Sequence, residues 1–385
     1  MVLREVCAGR VLPSTELVSL DTCAARVLAQ DIAADRDYPP FNRSVRDGFA
    51  VRSSDVPGRL RVIGEVQAGH QFEGSVKAGE AVEIMTGAPV PGGADAVVMV
   101  EHCVRREDGS VETDRNEERG SNIAAAGCEA RAGETVLKRG TRMDYSHIAW
   151  LATTGHSEVP VYTRPRVAII ATGDEIVDVT ETPAVHQIRN SNAHSLAAQV
   201  RRAGGEPVML PVARDSQAAT AKLIEKGLEA DLLLLSGGVS AGKYDFVEAA
   251  LEECGAHFFF DRILIQPGQP LVFGAARGKF FFGLPGNPAS TMVTFELFGR
   301  AALELLGGMN DAPLPLTLAK LTRPFRHKPG FTRFLPAELS CAEVTPVDWQ
   351  GSGDIPSICR ANAFLVAEAA RAEYAAGDLI PVMLK

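Results

Sequence analysis

The chain has 385 residues, 46% of them hydrophobic, with 39 Lys and Arg against 48 Asp and Glu, a formal charge of −9. A single core stops growing near ~250–300 residues, so several domains are expected. The acidic balance argues against DNA, RNA or an anionic membrane surface as partner, and seven scattered cysteines without a CxxC pair fit neither a disulfide framework nor a zinc site.

The opening stretch MVLREVCAGRVLPSTELVSL has no apolar signal-peptide core. No apolar run reaches the ~18–20 residues of a membrane span, so a soluble cytoplasmic protein is expected. Residues 13–34 are predicted as a helix, because Leu17, Leu20, Ala24, Val27 and Leu28 recur at near-helical spacing behind Ser14 or Thr15. Two prolines in YPPFNRSVRDGFAV (38–51) then impose an extended segment.

Residues 46–128 carry short apolar runs between glycine-rich turns, such as RLRVIGEV (59–66) and AVEIMTGAPVPGGADAVVMVEH (81–102), which predicts a strand-rich domain. GETVLKRGTRMDYSHIAWLATTG (133–155) reads as strand, turn and helix.

Across 164–308, near-continuous apolar runs alternate with amphipathic helical stretches. RVAIIATG (166–173), DLLLLSGG (231–238) and KFFFGLPG (279–286) are apolar on both faces, the pattern of a parallel sheet covered by helices on both sides. In PGNPASTMVTFELFGRAALELLGG, Asn287 is the expected N-cap and Pro288 the first helical residue. Val293, Leu297, Ala301 and Leu305 form the expected buried stripe. After Asn310 the chain reads as a small β domain.

Ligands of open α/β sheets bind at the carboxyl ends of the strands. The segments there are Thr172-Gly173-Asp174-Glu175, Arg214-Asp215, Ser236-Gly237-Gly238-Val239-Ser240-Ala241-Gly242 with Asp245, and Pro285-Gly286-Asn287-Pro288-Ala289-Ser290. Glycine-rich turns feeding helix N-termini bind oxyanions through backbone N–H groups, although any one of them also serves simply as a tight turn. Thr172, Gly173, Ser236, Gly237, Gly238, Ser240, Gly242, Pro285, Gly286, Asn287, Pro288 and Ser290 are the candidate binding residues. Three carboxylates on such a rim, Glu175, Asp215 and Asp245, call for a cation between them, and Mg²⁺ is the hard ion that pairs carboxylates with phosphate oxygens. Asp215 alone reads equally well as an N-cap for the helix that follows. GGVSAGKY (237–244) misses a P-loop because Tyr244 stands where a hydroxyl is needed for Mg²⁺.

FNRSVRDGFAV (41–51), GEVQAG (64–69), IMTGAPVPGGADAVV (84–98), RPRVAIIATGDE (164–175), IRNSN (188–192), LLLLSGGVSAGKYDFV (232–247), PGQPLVFG (267–274) and FFGLPGNPASTMV (281–293) form an ordered series. In order and spacing, this series resembles the MoeA family and the gephyrin E domain. The resemblance runs from about residue 10 to the end and is weaker after 310. It implies a multidomain α/β fold: a segmented linker domain (1–45 with 129–163), an inserted β-rich domain (46–128), a molybdopterin-binding α/β domain (164–310) and a C-terminal β-barrel domain (311–385).

It further implies a molybdopterin molybdenumtransferase that takes adenylylated molybdopterin and molybdate with Mg²⁺ and releases AMP. The family's homodimers build each active site from both subunits. Glu175, Asp215 and Asp245 then organise metal and pterin phosphate, while Asp47 and Thr86 act from the partner subunit. The molybdopterin adenylyltransferase and apo-molybdoenzymes are the implied partners.

Gln266 and Gln269 stand where the family typically has lysines, and Ala124 where it has an arginine. Arg46, Arg189 and Lys243 are candidates to restore that charge. A second reading, a catalytically weakened paralog that binds molybdopterin or acts as a scaffold, is favoured by the missing lysines and disfavoured by the retained carboxylates.

Overall fold

The computed structural model describes residues 1–214, 216–238 and 246–385. The chain divides into two compact units, one of 1–29, 139–144 and 158–385, the other of 30–138 and 145–157.

The larger unit is organised by a six-stranded sheet. Its strands are β1 (Arg166–Ala171), β2 (Glu206–Met209), β3 (Leu232–Ser236), β4 (His257–Phe260), β5 (Val272–Ala276) and β6 (Lys279–Leu284), in the order β2-β1-β3-β6-β5-β4. The pairs β1–β2, β1–β3 and β3–β6 are parallel, and β5 lies antiparallel to both β6 and the edge strand β4. Successive residues of a strand face opposite sides, so these runs must be apolar throughout. Val167 and Ile169 of β1 pack on one face with Leu232, Leu234 and Phe282. Ala168 and Ile170 pack on the other with Leu233, Leu235 and Phe281. Burying each such Leu, Ile or Phe contributes about 1.5–3 kcal/mol.

Helices cover both faces. α1 (Ser191–Arg202) lays Ala193, Leu196 and Val200 on the first face. α2 (Gln217–Gly227) and α3 (Phe246–Glu253) bring Ile224, Val247 and Ala250 to the second. Asn190 caps α1 by accepting from the Ala193 N–H at 3.1 Å. α4 (Pro288–Thr294) starts behind Asn287 with proline in its first turn, although the Asn287 side chain makes no cap bond. It runs through a π-helical turn, Phe295–Gly299, into α5 (Arg300–Leu306). The expected stripe is buried: Val293, Leu297, Ala301 and Leu305 are all below 8% exposed.

The C-terminal region is a closed five-stranded barrel. β7 (Leu316–Leu321), β8 (Thr332–Ser340), β9 (Glu343–Pro346), β10 (Ala363–Ala367) and β11 (Leu379–Leu384) run in the order β8-β9-β7-β11-β10, and β8 pairs with β10 to close it. Ala319, Leu321, Val344, Leu365 and Val382 fill its interior.

The helix expected over 13–34 is absent. The N-terminal helix is Val2–Gly9, and Thr15–Ser19 is a strand antiparallel to Glu158–Tyr162. Leu17 is 66% exposed while Val27 and Leu28 are buried, so the apolar spacing there marks no single buried helix face.

The smaller unit holds a six-stranded sheet of Ala96–Met99, Gly48–Val51, Glu80–Ile84, Gly58–Val66, Ser110–Thr113 and Cys103–Arg105, in that order. Phe49, Val51 and Val98 pack on one side, and Ala50, Val82, Ile84 and Val97 on the other. The strand Thr135–Leu137 and the helix Tyr145–Thr153 follow the sequence reading. Among the described residues no helix is long and apolar enough to cross a membrane.

Candidate functional site

A cavity of about 440 Å³ opens where β1, β3 and β6 end and α1 and α4 begin. The strand ends are tied across it. Thr172 N donates to Ser236 O at 3.0 Å, and Gly237 N donates to Leu284 O at 3.1 Å. A second cavity, about 410 Å³, lies at the amino ends of β3 and β6. Its charged groups are already engaged: Lys279 on Asp231 at 3.1 Å, and Arg10 on the Leu305 and Met309 carbonyls. The carboxyl-end cavity is the one lined by the strand-end loops singled out from sequence.

Two glycines are required by its shape. Gly173 has φ +139° and Gly237 φ +94°, backbone conformations that residues with a side chain rarely adopt. A Cβ at 173 would lie 2.4 Å from Glu175 Oε2, and one at 237 would lie 2.9 Å from the Thr172 carbonyl oxygen. The Glu175 carboxylate therefore folds back over the turn that follows β1. Its backbone oxygen accepts from Ile188 N at 2.9 Å, which fixes the Ile188–Arg189 strand as one wall. Arg214 holds the same turn, donating to the Asp174 and Ile176 carbonyls at 3.0 and 3.2 Å.

Of the residues expected from sequence, Thr172, Glu175, Ser236, Gly237, Gly238, Pro285, Gly286, Asn287 and Pro288 line this cavity. Gly173 sits directly behind Glu175. Ser290 is buried in the first turns of α4, its backbone oxygen accepting from Thr294 Oγ1 at 2.8 Å, and it does not line the cavity. Asp215, Ser240, Gly242 and Asp245 lie outside the described residues, as does most of the near P-loop, Lys243 included. Arg189 lines the cavity, with Nε donating to the Glu181 carbonyl at 3.0 Å. Gln269 is exposed and precedes Pro270, which is part of the wall.

Asn192 lines the cavity and was not singled out from sequence. Its Nδ2 donates to Ser236 Oγ and to Gly286 O, both at 2.8 Å. The residue stands in the IRNSN motif, but nothing local in the sequence shows that its amide spans two loops.

In the smaller unit, Asp47 Oδ1 accepts from Thr86 N at 2.6 Å and from Thr86 Oγ1 at 2.8 Å. These two bonds, the backbone one foremost, hold the Asp47 carboxyl below the usual aspartate range.

Among the described residues no group of three or more His, Cys, Asp or Glu side chains is arranged to hold a metal ion. Two of the three carboxylates expected to do so fall outside those residues. The donors that are described are all hard oxygens: the Glu175 carboxylate, cradled against Gly173, and the Thr172 and Ser236 hydroxyls. That chemistry fits a small divalent cation paired with phosphate oxygens.

Family models match the chain in three segments. They are the MoeA N-terminal region (domains I and II) over 2–155, a probable molybdopterin-binding domain over 168–305, and the MoeA C-terminal region (domain IV) over 318–385. A molybdopterin molybdenumtransferase of Bacillus subtilis is 36% identical, covering 99% of this chain and 92% of that protein. One from Staphylococcus epidermidis is 34% identical over 95% of this chain and 90% of its own length. A MoeA crystal structure from Pyrococcus horikoshii superposes with a TM-score of 0.81 at 28% identity, covering 100% of this chain and 98% of that one. Fold, cavity and these matches together define a transferase of molybdenum-cofactor biosynthesis. The chain belongs to the MoeA family.

Proposed function

We propose that the protein inserts molybdate into adenylylated molybdopterin and releases AMP, using the cavity at the carboxyl ends of β1, β3 and β6. The observation that carries this reading is the convergence there of three strand-to-helix loops on one carboxylate, Glu175. The loops at Ser236–Gly238 and Pro285–Pro288 present backbone amides and hydroxyls, which suit the oxygens of a phosphoanhydride and of a tetrahedral oxyanion. Catalysis of this kind is largely positioning and neutralisation of charge, and it asks the protein for fixed donors rather than a covalent nucleophile.

Glu175, with Asp215 and Asp245, would hold Mg²⁺. When bound, the ion neutralises charge on the phosphate oxygens. Thr172 and Ser236 supply hydroxyls in the same wall. Asp47 and Thr86 of the partner subunit complete the site in a homodimer; the Asp47 carboxylate, kept ionised by Thr86, is ready to pair with a cation or a substrate donor. Gln266 and Gln269 are exposed, and Arg189 stands in the cavity wall. Arg189 is the cation placed to attract the substrates electrostatically.

Titration calorimetry with adenylylated molybdopterin, with and without Mg²⁺, tests the reading. One Mg²⁺-dependent site per chain is expected, weakened by Glu175→Gln. Absence of binding under both conditions would contradict it.

A further inference from the structure

We infer that Asn192 is a positioning residue that aims the Ser236 hydroxyl at an oxyanion of the substrate. The inference rests on the transferase reading above and concerns the same cavity.

Asn192 occupies the first turn of α1, beside the Asn190 cap. Its single amide nitrogen donates to Ser236 Oγ and to Gly286 O, partners 44 and 94 residues away along the chain. One side chain therefore braces the loop after β3 against the loop after β6. The orientation of the amide is not arbitrary. A carbonyl oxygen only accepts, so Gly286 O fixes Nδ2 toward the loops and turns Oδ1 away. Among the described residues, Oδ1 is then buried with no hydrogen-bond partner. Folding alone disfavours an unpaired buried acceptor, so the geometry of the two donated bonds is what the arrangement keeps.

The consequence falls on Ser236. Its side chain is buried, with 1% of the residue exposed, and it lies in the cavity wall. A serine hydroxyl has one proton and two lone pairs. Asn192 occupies a lone pair, so Ser236 is an acceptor toward α1 and its one proton is left for another partner. No other hydrogen bond of the Ser236 hydroxyl is made among the described residues. That proton is available to an acceptor in the cavity, and a phosphate or molybdate oxygen of the substrate is a group that takes it in a hydrogen bond. Asn192 thus sets both the direction of that donor and the spacing between the two loops.

The test uses the full chain and four variants: Asn192→Ala, Asn192→Asp, Ser236→Ala and the double variant Asn192→Ala/Ser236→Ala. Dissociation constants are measured for adenylylated molybdopterin, for molybdate and for orthophosphate, so that the two sources of oxyanion are separated. Each alanine variant is expected to weaken the oxyanion-bearing ligand about 10-fold, and the double variant about 10–20-fold rather than ~100-fold, because both changes remove one donor. Asn192→Asp is expected to weaken it by more than ~100-fold, since the carboxylate captures the Ser236 proton and repels the anion. KM should rise while kcat stays within about threefold, a split that a merely structural brace does not produce.

Additive losses in the double variant would overturn the inference, as would an Asn192→Ala protein that binds like the parent while Ser236→Ala does not. A parent protein that binds orthophosphate with the same non-additive pattern, yet ignores adenylylated molybdopterin, would sink the transferase reading and leave this one standing. A parent that binds neither overturns both.

Discussion

The carboxylate of Glu175 fills the space that a side chain at position 173 would need: a Cβ on Gly173 would sit 2.4 Å from Oε2 and 2.7 Å from Oε1. The two residues are one device, a turn that folds an acidic group back over the end of β1. Gly173→Ala is therefore expected to fail twice. It forces alanine into φ +139° and it displaces the carboxylate. Local strain of this sort costs about 1–3 kcal/mol, read by chemical denaturation. Mg²⁺-dependent binding of adenylylated molybdopterin should fall by about 10- to 150-fold, since a charged ligand group worth about 1.5–3 kcal/mol is misplaced. Binding equal to that of the parent would show that Glu175 has no part in the site.

The Asp47–Thr86 pair predicts a pH dependence. Two donors from Thr86 hold the Asp47 carboxyl below the usual aspartate range, the backbone N–H contributing most. A depressed folded pKa means that the stabilisation is present above the unfolded value and is lost as pH falls through the folded one. An NMR titration of the Asp47 side chain should give a midpoint below that of an ordinary aspartate. Thr86→Ala removes only the hydroxyl and should move the midpoint part of the way back. An unshifted midpoint in the parent would rule out the paired geometry.

Restoring positive charge beside the cavity should tighten binding. The Gln269 backbone oxygen accepts from Ile263 N and Leu271 N at 3.1 and 3.0 Å, so the backbone is anchored while the side chain is exposed beside Pro270. Gln269→Lys is expected to strengthen binding of adenylylated molybdopterin about 10-fold, the size of one charge-assisted hydrogen bond. The gain should shrink as salt is added. No gain at low salt would mean that a charge at position 269 does not reach the bound ligand.

Glu304 offers a check on the frame behind the site. It is 6% exposed and lies between Arg300, to which it is hydrogen-bonded, and Arg142 at 3.3 Å. Burial still dominates and pushes its carboxyl pKa up. For a raised folded pKa, the contribution is complete below the unfolded value and is lost as pH rises through the folded one. The stability of Glu304→Gln relative to the parent should therefore improve across that window and level off on either side. Paired denaturation curves against pH measure it. A drift in the opposite direction would mean that the two guanidinium groups outweigh desolvation.

The sheet was legible because its strands are buried on both faces. Leu232 to Leu235 alternate between two cores, and a run of four leucines is what that demands. The long helix from Pro288 was equally plain from its stripe and its proline, although the π-helical turn at Phe295–Gly299 left no mark in the sequence. The segment 13–34 misled because its leucine spacing coincides with a helical period, whereas Thr15–Ser19 pairs with the distant strand Glu158–Tyr162. Non-local pairing of that kind is invisible to a local period. The loop residues of the cavity wall stood out through glycine, proline and hydroxyl chemistry at strand ends. Asn192 did not, because its role is set by partners on two distant loops.

The most direct measurement is single-turnover conversion of adenylylated molybdopterin by the purified protein with Mg²⁺, with and without molybdate, following AMP. The account predicts AMP release that depends on molybdate and is lost in Glu175→Gln. Tight binding of the nucleotide with no molybdate-dependent AMP release would contradict it, and would leave a protein that holds molybdopterin without transforming it.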